Sequence, residues 1–161
     1  MRCLALLLLA CIAPSFAEAG GQPAFVGTYG HGATALPDDV VWIVQQAGDH
    51  WRVVQVADGA ASDAHRLQRR GRDAFWARMD WPEGTNAEAD CLSWGEKPGS
   101  LEDLLSDVPP VPSAPGEDYG HALLCHVPQP SRARIAWLAD NTSDWFYYDP
   151  VFGVIEVRAL R

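Results

Sequence analysis

The sequence predicts an all-β protein: a small antiparallel barrel or sandwich of about eight strands, with a long disulfide-closed loop carrying a short helix. Three observations lead there. Runs rich in β-branched and aromatic residues recur at short spacing, separated by Gly, Pro, Asp and Asn. Two cysteines, Cys91 and Cys125, are the only ones outside the first 19 residues. Between them lies an acidic, proline-rich stretch that fits neither a strand nor a long helix.

Met1 to Ala19 reads as an export signal. Arg2 precedes an apolar run from Leu4 to Ala13, which is shorter than the roughly 20 residues a membrane span needs. Pro14 breaks the run, and Ser15-Phe16-Ala17 and Ala17-Glu18-Ala19 each suit signal peptidase. An alternative is Leu8-Leu9-Ala10-Cys11, which resembles a bacterial lipobox and would make Cys11 the acylated first residue of an outer-membrane lipoprotein. The expected location is therefore periplasmic or secreted, with a single β domain over residues 20–161. Two cysteines in an exported chain pair most simply with each other. The bond would close a loop of about 34 residues and stabilise the fold by about 4 kcal/mol in the chain-entropy account.

Taken in order, Ala24 to Tyr29 reads as a first strand, and Gly30 to Pro37 as a loop. Val40–Gln45 and Trp51–Val56 form the clearest hairpin, turning at Ala47-Gly48-Asp49-His50. Residues 62–79 carry two patterns. Helical spacing joins Leu67, Gly71 and Phe75, while Phe75, Ala77, Met79 and Trp81 alternate. Because a mid-helix glycine costs about 1 kcal/mol, the reading favours a hairpin turning at Arg70-Gly71-Arg72-Asp73. Cys91–Trp94 is a short strand, and Ser100–Leu105 a short helix before Pro109-Pro110-Val111-Pro112. His121–Val127 is the strand bearing Cys125. Ala133 to Ala139 alternates as a strand would. Trp145–Tyr148 is an aromatic strand, Asp149–Gly153 a turn, and Val154–Leu160 the last strand.

The formal net charge of −9 is concentrated. From Asp80 to Asp118 ten acids stand against Lys97 alone, and the remainder is balanced. Such a chain lacks the clustered positive charge that phosphate backbones require, so nucleic acid is excluded as a partner. An acidic loop of this kind steers a basic protein. Its carboxylates Glu96, Glu102, Asp103, Asp107, Glu117 and Asp118, with the aromatic residues Trp94, Trp145 and Tyr147, form the expected partner-binding set. Arg66, Arg69, Arg70, Arg72 and Arg78 form the one basic island, and the first four a candidate anion site, since guanidinium forks grip oxyanions in pairs.

None of the five histidines shows a zinc-site spacing, and no Gly-x-Ser-x-Gly or phosphate-binding glycine loop is present. No catalytic residue, cofactor or metal is therefore expected. In organisation (signal, one disulfide, acidic balance, hairpins) the chain resembles small periplasmic β-barrel inhibitors and lipocalin-like modules, and no residue role is carried over from either. The leading expectation is an exported bacterial envelope module that binds or inhibits a basic protein such as a cell-wall hydrolase. A carrier of a small apolar ligand is the first alternative. A small secreted hydrolase, which needs a polar cleft where His meets Asp or Glu, is the second.

Overall fold

The computed structural model describes residues 25–81, 88–96 and 113–160. Within them, eight strands run β1 Gly27–His31, β2 Trp42–Ala47, β3 His50–Gln55, β4 Ala61–Arg66, β5 Asp90–Trp94, β6 Ala122–His126, β7 Trp145–Asp149 and β8 Gly153–Leu160. Each pairs antiparallel with the next, and β8 returns to β1, so the sheet closes into a barrel. Closure leaves no strand edge open for another chain to extend. The β2–β3 hairpin turns on Gly48, whose φ of 69° a residue with a Cβ rarely adopts.

Directly opposed residues share a face of the sheet, so the register assigns inside and outside. Tyr29 opposes Trp42, Val44 opposes Val53, Ala64 opposes Trp94, Leu92 opposes Leu124, and Leu124 opposes Tyr147. These residues fill the barrel with Val157 and with Phe25, which plugs the lower end edge-on against Trp51 and Trp145 at 6.0 and 5.5 Å. The inward Arg66 is ion-paired with Asp90 at the same end, its Nε donating at 2.8 Å.

The opposite faces of β5, β6 and β7 belong to a second core. Cys91, Leu123, Cys125, Phe146 and Tyr148 point outward and are covered by Phe75 and Trp76 of a helix and by Ile135 and Leu138 of a later segment. The alternation of Trp145-Phe146-Tyr147-Tyr148 is thereby resolved, with Trp145 and Tyr147 inside and Phe146 and Tyr148 under the outer layer. Cys91 and Cys125 oppose one another on β5 and β6 and are disulfide-bonded, with Cα atoms 4.1 Å apart and both side chains fully buried. The bond ties together the two strands that flank residues 95–121.

Two expectations need correction. The hairpin read over residues 65–80 is instead the end of β4 followed by helix α1, Arg69–Arg78. Gly71 belongs in this helix because α1 lies against the chain at Gly116 and Glu117. A Cβ on Gly71 would come within 2.9 Å of the Gly116 carbonyl oxygen and 3.0 Å of that of Glu117. Ser62 lies in β4. The strand read over Ala133–Ala139 is likewise absent. A single helical turn, α2, Gln129–Arg132, leads into successive tight turns closed by Ile135 N–H to Arg132 O, Leu138 N–H to Ile135 O, and Asn141 N–H to Leu138 O. Ile135 and Leu138 meet the outer core at a spacing of three, whereas Arg134, Ala136 and Ala139 face solvent. The short helix expected at 100–105 and the export signal expected over residues 1–19 lie outside the described residues.

Candidate functional site

The barrel's upper end is built from the ends of β1, β3, β5 and β7 and the starts of β2, β4, β6 and β8. There the inward positions open into a cup of about 610 Å³ lined by Gln55, Ser62, Trp94, Gly95, Glu96, His121, Ala122, Tyr147 and Asp149. Beneath the lining, Trp42 lies against Tyr147 at 4.5 Å between ring centroids, and His31 stacks on Trp42 at 4.8 Å. Trp94 stands on the other side of Tyr147, at 6.0 Å.

Two glycines, Gly95 and Gly120, bring the returning chain against β5. Gly120 donates its N–H to Ser93 Oγ at 2.6 Å, and a Cβ on it would sit 2.4 Å from the Trp94 carbonyl oxygen. This close crossing sets His121 at the mouth, where its Nε2 lies 3.2 Å from Asp149 Oδ2. The Tyr147 hydroxyl donates to the same oxygen at 3.4 Å. The other Asp149 oxygen accepts the backbone N–H groups of Val151 and Phe152 at 2.7 and 3.2 Å, so one buried carboxylate shapes the β7–β8 turn and anchors the cup. Burial, together with the charge and hydrogen bond of Asp149, pushes the Tyr147 phenol up to about 12. It therefore stays a neutral donor at physiological pH.

Around the cup the surface is apolar and acidic. Of the five large exposed hydrophobic residues described, four stand on loops at this end: Leu36 after β1, Val56 after β3, and Val151 and Phe152 after β7, the last two about three-quarters exposed (76% and 75%). The same loops and the start of the β5–β6 connection present Asp38, Asp39, Asp58 and Glu96 to solvent. Neither lysine nor arginine is found among described residues 32–41, 56–60, 95–96, 119–121 and 150–152.

Of the partner-binding residues read from the sequence, Trp94, Glu96 and Tyr147 meet in the cup. Trp145 lies inside the barrel at the opposite end, against Phe25 and Tyr29. Glu117 and Asp118 sit in a local turn, accepting from Ala114 N–H and Ser113 Oγ. Glu102, Asp103, Asp107 and the acylation candidate Cys11 lie outside the described residues. The four arginines lie on β4 and α1, with Arg66 and Arg72 near enough to repel one another. Arg66 is paired inside the barrel end with Asp90, and Arg72 donates to the Ala89 carbonyl oxygen at 3.4 Å. Arg69 faces solvent beside Asp73 on α1, and Arg70 is exposed on the same helix.

The sequence reading passed over His121, Asp149, Ser62, Gln55 and the apolar rim. Asp149 was within reach of it, since Trp145, Tyr147 and Asp149 alternate onto one face of β7. His121 depends on the Gly120 crossing, which no periodicity announces. Among the described residues no group of three or more His, Cys, Asp or Glu is placed to hold a metal ion. No described helix is long and apolar enough to cross a membrane. Compared with known protein families, characterised proteins and solved structures, the chain shows no significant match to any of them.

Proposed function

We propose that this protein is an exported binding module of the bacterial envelope whose upper barrel end docks a basic protein, in the manner of an inhibitor of a cell-wall hydrolase. One observation carries the reading: the exposed apolar side chains Leu36, Val56, Val151 and Phe152 gather around a cup whose rim loops carry acidic residues, Arg158 reaching the Ala33 carbonyl oxygen being the described guanidinium at that edge. Exposed apolar clusters rimmed by polar residues mark interaction surfaces, and single-sign charge around them selects an oppositely charged partner and speeds encounter. The reading of Met1 to Ala19 as an export signal supports a partner in the same compartment.

The test uses a purified basic cell-wall hydrolase and the intact protein. Binding is expected to weaken on going from low salt to about 0.5 M, because rim charges act through screened fields. It should also weaken on Phe152→Ser, which removes an exposed apolar contact without touching the core. Binding indifferent to both changes, or absent, contradicts the proposal.

The small-ligand alternative draws on the same cup. The carboxylates of Glu96 and Asp149 and the ring of His121 in its lining favour a polar, cationic guest over an apolar one.

A further inference from the structure

We infer that the cup is a receptacle for one cationic side-chain end, a guanidinium or an ammonium. The inference rests on the binding-module reading and names the group that the partner would insert.

Three features of the cup select a cation. First, its lining among the described residues contains two carboxylates, Glu96 and Asp149, and neither lysine nor arginine. Asp149 is buried, so its charge is screened less than that of an exposed acid. Second, aromatic rings form its wall. Trp94 and Tyr147 stand 6.0 Å apart with their planes inclined by 36°, and Trp42 backs Tyr147. A cation over such a face is attracted by the ring quadrupole, more strongly as water is excluded. Third, the groups within reach that are not charged, the Ser62 hydroxyl and the Gln55 amide, can each accept a hydrogen bond from a guanidinium or ammonium. Among the described lining residues His121 supplies the one imidazole. Its ring Nε2, 3.2 Å from Asp149 Oδ2, makes it a competitor for that carboxylate.

The shape agrees with a side-chain end on a stem. A cup of about 610 Å³ opening to solvent admits the head group, while the apolar residues on the surrounding loops are placed to meet the surface from which it projects. Glu96 follows β5 and Asp149 ends β7, and these strands lie on opposite sides of β6, so a guest would be held between them.

The experiment titrates the full protein with N-acetyl-arginine amide, N-acetyl-lysine amide and the neutral isostere N-acetyl-citrulline amide. The Trp94 indole N–H resonance and the backbone amides of Glu96 and His121 are the readout. Saturable shifts with both cationic probes, or with one of them, are expected at roughly millimolar concentration, with the arginine and lysine arms separating the two head groups. Citrulline should fail. Glu96→Gln should weaken the cationic probe about tenfold, in line with loss of a carboxylate partner. Asp149→Asn should do the same, and if that variant does not fold, Glu96→Gln decides. Equal shifts with citrulline, no shift with either cation, or an unchanged affinity in Glu96→Gln overturns the inference. If the probes fail while Phe152 still governs capture of a basic protein, the cup falls and the docking reading survives. If the probes bind and no basic protein is held, the docking reading falls and the cup stands.

Discussion

Gly71 and His126 show how single residues are set by what lies across from them. In an isolated helix Gly71→Ala would stabilise by up to about 1 kcal/mol. Here the added methyl group would press on the backbone oxygens of Gly116 and Glu117, which lack the freedom of a side-chain tip. The substitution is expected to destabilise by about 1 kcal/mol or more, as overpacking does, read as a lower urea midpoint. His126 faces inward beside Trp145, and burial lowers its pKa below the ordinary 6.5, the nearby Arg132 adding to this and Asp144 opposing it. As pH falls below 6.5 the unfolded chain takes up this proton before the native one does. Stability linked to His126 is thus full above that pH and declines on acidification until the native ring also protonates. Urea unfolding of the wild type and of His126→Gln at pH 8 and pH 5 should show a smaller acid loss in the variant; equal losses would remove His126 from the account.

At the scale of elements, α1 is a cover. Phe75 is fully buried and meets Trp76, Tyr119 and Tyr148 at centroid distances of 4.7, 5.6 and 5.0 Å. Phe75→Ala should cost about 3–5 kcal/mol, whereas Arg70→Ala on the exposed side should cost little. The disulfide sits under the same cover. Replacing Cys91 and Cys125 together by alanine should lower stability by about 4 kcal/mol or less, since β5 and β6 remain paired by their ladder.

These elements also show what the sequence can disclose. The hairpin of β2 and β3 and the alternation in β7 are legible because period-two patterning and turn residues agree. The α1 segment is not, because its deciding contact lies with residues 116–117, which are distant in sequence. The 133–139 segment misleads for a different reason. Ile135 and Leu138 are three apart and buried together, but interleaved alanines and Trp137 imitate a strand's alternation. Of the site, Trp94, Glu96 and Tyr147 could be nominated from chemistry alone. Their convergence with His121 and Asp149 needed the barrel's register and the Gly120 crossing.

For the whole molecule, closure and the outer layer divide the labour. The lower end is plugged by Phe25 and fastened by the Arg66–Asp90 pair, and the outer faces of β5–β7 are buried. Among the described residues, what remains open is the upper mouth with its apolar and acidic rim. The most direct measurement is amide hydrogen exchange of the protein alone and saturated with a basic cell-wall hydrolase, mapped by residue. The account predicts added protection in the connections at 32–41, 56–60 and 150–152 and at Glu96 and His121, with the turn at Gly48 and Asp49 and helix α1 unchanged. Protection centred on α1 or on the lower end would contradict it.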